Sequence, residues 1–103
     1  MPRITKLEPV DDGIHKWIAH FEDGKQTKFG AVGYKDYTQY PHDIERRRLY
    51  RERHLKDLKT NDPTRAGFLS YYILWGDSTS IKRNLQEYNR RFKKKLTANL
   101  DEI

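Results

Sequence analysis

Two stretches of this chain concentrate cationic side chains on what read as helices. Between residues 46 and 59 stand Arg46, Arg47, Arg48, Arg51, Arg53, Lys56 and Lys59, opposed only by Glu52 and Asp57. Between residues 82 and 95 stand Lys82, Arg83, Arg90, Arg91, Lys93, Lys94 and Lys95, opposed only by Glu87. The whole chain carries +6, so everything outside these stretches is net acidic. The chemistry open to such residues is contact with anions. Lysines and arginines laid along phosphates release counterions, and roughly six to ten contacts give steeply salt-dependent binding that is blind to sequence. The partner implied is nucleic acid, DNA ahead of RNA, or an acidic protein surface. The bland alternative is a solvated basic surface.

The first stretch has a second oddity. At about 100° per residue, Ile44, Leu55 and Leu58 fall in one sector of a helix, and Arg48 and Arg51 fall there with them. Either the two arginines are folded under and paired with carboxylates, which is the expectation, or that face meets an anion. Aromatic rings are the other candidates for binding. Tyr34, Tyr37 and Tyr40 recur every third residue and offer platforms on which bases stack. Packing of those rings onto the sheet is the plainer expectation. Trp17 is a candidate interface anchor.

Other chemistries lack their residues. His15, His20, His42 and His54 have no i, i+4 pairing with one another and no cysteine beside them, so no metal is expected. His54 reads as a helix-surface residue. Ser70 lies in an apolar helix, where its hydroxyl is expected to bond back to the chain. Asp36, Asp43 and Glu45 are expected to cap and to pair with Arg47, Arg48 or Arg51. Gly30 and Gly33 are not followed by the lysine and hydroxyl of a phosphate loop. Neither an enzyme nor a cofactor is expected.

The elements that must position these residues follow from pattern. One hundred and three residues make one domain. No apolar run reaches the roughly 20 residues that cross a bilayer, the first residues lack a signal-peptide core, and the lack of cysteine fits a reducing compartment. Residues 1–31 read as a three-stranded meander. Two-residue turns at Asp12-Gly13 and Asp23-Gly24 would align Leu7, Ile18 and Phe29 in one row, with Ile4 opposite Phe21 and Trp17 opposite Gly30. Pro9 then requires an outer strand. Residues 32–42 form a linker.

Three helices follow, over 43–59, 63–75 and 79–96, and 97–103 form a frayed tail. Asp43 or His42 caps the first. Asp62 caps the second with Pro63 at its first position, and Gly76 ends it in a left-handed conformation. Ser78 or Asp77 caps the third. The second helix is apolar nearly all round and should lie buried between the sheet and the amphipathic third. The expected core is Leu7, Ile18, Phe29, Leu55, Leu58, Phe68, Leu69, Tyr72, Ile73, Trp75, Ile81, Leu85, Tyr88 and Phe92. The fold class is α+β.

The segments FGAVGYKDYT, ERRRLYRERH and NDPTRAGFLSYYILWG, spanning about residues 29–76, resemble a group of small proteins encoded by nucleocytoplasmic large DNA viruses of protists and algae. That group has no established activity. The resemblance implies a viral protein of the virion or the infected-cell cytoplasm. It adds a second functional expectation, a minor capsid protein that adapts larger subunits to one another. Its tyrosines and Trp17 would then be anchors, and its basic helices would meet acidic surfaces of virion proteins.

Overall fold

A computed structural model of the protein describes residues 3–39 and 43–101, with residues 93–101 as backbone alone. Tyr40 and His42, and the side chains of Lys93, Lys94 and Lys95, therefore lie outside the described residues. The architecture is α+β. Strands β1 (Ile4–Pro9), β2 (Trp17–Phe21) and β3 (Gln26–Phe29) form an antiparallel sheet in the order β1-β2-β3, which puts Pro9 on an edge as its missing donor requires. Then come α1 (Ile44–His54), a 3₁₀ turn (Leu55–Thr60), α2 (Ala66–Leu69), a π-helical turn (Ser70–Leu74) and α3 (Ile81–Asp101).

The strand register differs from the expectation, and the turns explain why. Phe21 N–H donates to Lys25 O, so three residues, not two, close the β2–β3 hairpin, with Gly24 at φ +93°. Trp17 consequently pairs with Phe29 instead of Gly30, and Ile18 with Lys28. In the first hairpin Val10 N–H donates to Lys16 O, leaving a five-residue loop. Leu7 therefore faces Ala19, and the row Leu7–Ile18–Phe29 does not form. Ile18 is half-buried on the opposite face. One expected pair survives: a bulge between Ile4 and Lys6 inserts Thr5 and restores Ile4 opposite Phe21. The same bulge lets Ile4 and Leu7 both reach the core.

The core is Ile4, Ala19, Phe21 and Phe29 from the sheet, met by Leu69, Ile73, Leu74 and Trp75, with Tyr88 of α3 beyond them. The central apolar helix lies between sheet and α3, as its all-round hydrophobicity demands. It begins later than Pro63, because Asp62 turns its carboxylate onto the Thr64 N–H (3.0 Å) and hydroxyl (2.6 Å). Pro63 is buried ahead of it, and its carbonyl accepts from the Tyr88 hydroxyl. After Leu69 the helix widens, and Trp75 N–H reaches back five residues to Ser70 O at 3.0 Å.

Gly76 is not left-handed. It is glycine because a Cβ would collide with the Tyr72 carbonyl and with Asn84. Asn84 is 2 % exposed and pins this corner, donating to Ile73 O (2.8 Å) and Ser78 O (2.7 Å) and accepting from Ser78 N–H (3.0 Å). Ser80, not Asp77 or Ser78, accepts from the Arg83 N–H at the start of α3. That helix runs on to Asp101, past the expected boundary at 96. Asn89 ties it to β1 by exchanging two hydrogen bonds with the Ile4 backbone, 2.9 and 3.0 Å. Tyr72, Ile81, Leu85 and Phe92 are half-buried around the core instead of inside it.

Candidate functional site

The first basic helix is held by its polar residues. Asp43 caps α1, accepting from Arg46 N–H at 3.0 Å, as expected. None of its residues is buried. The side turned inward carries Arg47, Tyr50, Arg51 and His54. Arg47 Nε donates to Gly76 O (2.7 Å), its Nη2 meets Asp77 Oδ1 (2.6 Å), and its guanidinium lies 5.7 Å from the Tyr37 ring. Arg51 covers the Tyr71 ring at 4.4 Å and reaches Asp77 Oδ1 at 3.4 Å.

The expected apolar stripe is thus corrected. Leu55 is 56 % exposed and Ile44 65 %, and Leu58 is only half-buried. The helix tightens to 3₁₀ at Leu55, which breaks the 100° phase linking Ile44 to Leu55 and Leu58. Arg48 lies in water and bridges Glu45 (3.1 Å) and Glu52 (2.7 Å) along its own helix. The carboxylate that holds Arg47 and Arg51 is Asp77, not Asp36, Asp43 or Glu45.

Asp36 has another task. It is 3 % exposed and receives Lys16 Nζ at 2.8 Å, along with the Thr38 N–H (2.9 Å) and hydroxyl. The same ammonium donates to Gln39 Oε1 (2.6 Å) and to Tyr34 O. This buried pair clamps the glycine-rich loop against the sheet. Gly30, at φ +80°, lets the loop pass over Leu74 and the Lys16 stem.

Between that loop and α1 lies a cleft of about 740 Å³. One wall is the loop from Gly30 to Asp36, including Lys35; the other is Arg46, Tyr50, Arg53 and His54; Ser70, Leu74 and Trp75 form the floor. Its rings are ordered. Tyr50 stacks on Trp75 (centroids 4.3 Å apart, planes at 8°), and His54 stacks on the other face of Tyr50 (4.1 Å, 22°). His54 Nδ1 is 3.0 Å from Asp57 Oδ2, so this residue is a member of a ladder and not a plain surface residue. Burial, followed by the charge of Asp57, pushes the Tyr50 hydroxyl up to about 12, with a hydrogen bond to Ser70 acting the other way.

The remaining expected contacts sort clearly. Arg46 keeps its Nε 3.8 Å from Asp43. Arg90 pairs with Glu87 at 2.5 Å, and Arg91 covers the Tyr72 ring at 5.0 Å. Arg53, Lys56, Lys59, Lys82 and Arg83 are exposed and have no carboxylate partner among the described residues. They form two groups. Arg53 to Lys59 lead toward the amino end of α2, and Lys82 with Arg83 lies beyond the carboxyl end of the central helix. Tyr34 is 76 % exposed, whereas Tyr37 and Trp17 pack against the core.

Residues 5–54 match DUF5754, a family of unknown function. The match takes in the meander, the clamped loop and α1. No curated protein and no solved structure gives a significant match. Among the described residues no group of three histidines and carboxylates could hold a metal, and no helix is long and apolar enough to cross a membrane.

Proposed function

We propose that this is a non-enzymatic viral protein that binds nucleic acid through its phosphates without reading sequence. It would act in genome organisation or packaging in the infected-cell cytoplasm or the virion. The observation that carries the reading is the run Arg53, Lys56 and Lys59. All three are exposed and lack a carboxylate partner among the described residues, in a molecule that pairs most of its other cations internally. Part of the bland reading also applies, since Arg53 lies in the last turn of α1, where a cation complements the helix dipole. The dipole does not account for Lys56, Lys59, Lys82 and Arg83.

Internal pairing takes Arg47, Arg51, Arg90 and Arg91 out of the set, so the salt dependence should be shallower than the charge count suggests. Counting only Arg53, Lys56, Lys59, Lys82 and Arg83, the exposed cations without a carboxylate partner among the described residues, five phosphate contacts give log K against log salt a slope of about −4.5 on duplex DNA. A gel shift with random duplex at two salt concentrations measures it. Changing Arg53, Lys56 and Lys59 together to Gln should reduce the slope by about 3, and Lys82 with Arg83 by about 2. Absence of binding at about 50 mM salt would sink the proposal.

The second reading, a minor capsid protein joining larger subunits, is favoured by one feature. Ile44 and Leu55 flank Arg48 and Arg51 along a shallow groove of about 410 Å³ bordered by Tyr71. Exposed aliphatics beside arginines suit a protein interface. Stoichiometric recovery of the protein in purified capsids without genome would select this reading.

A further inference from the structure

We infer that the cleft between the Gly30–Asp36 loop and α1 takes one unstacked nucleotide of a single strand, with its base extending the ring ladder at His54. This rests on the phosphate-binding reading and names the form of nucleic acid it prefers. The ladder has one end available. Tyr50 has Trp75 on one face and His54 on the other, and Trp75 is buried, so the stack meets solvent only at His54. That ring is part-exposed and borders the cleft.

The charge around the ladder suits a phosphate. Lys35, Arg46 and Arg53 line the walls; of the nearby carboxylates, Asp36 is neutralised by Lys16, Asp57 is bonded to the His54 ring edge and Asp43 lies beside Arg46. Tyr34 stands at the lip with its ring in water. An aromatic end group with cations beside it is the arrangement by which single strands are held, because every base has a π-face. In a duplex those faces are already covered by neighbouring pairs, so a duplex can use only the cations.

The test compares three probes of equal length by fluorescence anisotropy at about 50 mM salt. They are a mixed-sequence single-stranded oligodeoxynucleotide, its duplex, and an abasic strand that keeps the phosphates and lacks the bases. The single strand should bind roughly tenfold more tightly than the abasic strand, the effect of one stacked base. His54→Ala should erase that difference, and His54→Phe, which keeps a flat ring, should retain it. Tyr34→Ala, in a ring too exposed to affect folding, should lower single-strand affinity and leave the duplex unchanged. Thermal melting of each variant confirms that it is folded. Equal binding of all three probes overturns the cleft assignment while phosphate binding stands. Binding of none overturns both.

Discussion

α1 and α3 both carry an excess of positive charge, +3 and +5, and are attached to the protein in opposite ways. α3 is fastened by what it buries: Tyr88 in the core, Phe92 edge-on to Phe68 and Tyr72, and the Asn84 amide. α1 buries nothing completely and is fastened by two guanidiniums and one ring. In α3 the arginines, even where they pair as Arg90 does with Glu87, decorate a helix already held by apolar contacts. In α1 the inward-facing arginines are the attachment. A high density of Arg therefore does not measure how much positive charge a helix shows to a partner.

The largest break in this contrast should come from Tyr88→Ala. It removes a buried ring and a hydrogen bond to the Pro63 carbonyl, and should cost about 3–5 kcal/mol by denaturant unfolding. Asn84→Ala strands two carbonyls and an N–H in a closed corner and should cost about 3 kcal/mol, at the upper end for such groups. In α1, Arg47→Ala should cost about 1–2 kcal/mol, since its charge-assisted bond to the Gly76 carbonyl is part-buried. Its signature should be faster amide exchange confined to α1. Arg48→Ala, whose pairs stand in water, should leave the unfolding midpoint unchanged. A global loss of stability at Arg48 would mean that the two sides of α1 have been confused.

The ring ladder also sets a pH limb. The Tyr50 hydroxyl titrates higher in the folded protein than the roughly 10 of a free tyrosine. The stability linked to it is therefore complete below about 10 and is lost as pH rises toward about 12. Tyr50→Phe should flatten that alkaline limb. Burial raises the Tyr88 hydroxyl too, so some loss should remain.

The sequence made the layers legible because hydrophobic period and turn residues are local. The apolar helix around Leu69, the stripe of α3 and the Asp43 cap all follow from neighbours within one or two turns. Registers were less legible, because Asp-Gly marks a hairpin without fixing whether two, three or five residues close it. Ile18 went to the wrong face for that reason. The cleft was hidden further still. Lys16 and Asp36 are twenty residues apart, and nothing near either one announces the pair. His54 looked like surface because its stacking partner, Tyr50, is itself placed by Trp75, which comes from a later helix. The exposed cations Lys56, Lys59, Lys82 and Arg83 were in plain view, but which of their neighbours were already engaged was not.

The extra residue in β1 has an effect outside the molecule. A three-stranded sheet leaves two open borders, each a template for strands of other chains. Along β1 that border is interrupted at Thr5, charged at Lys6 and Glu8, and lacks a donor at Pro9. The β1 edge thereby resists lateral stacking into fibrils, and removing Thr5 should expose that hazard before it alters the fold.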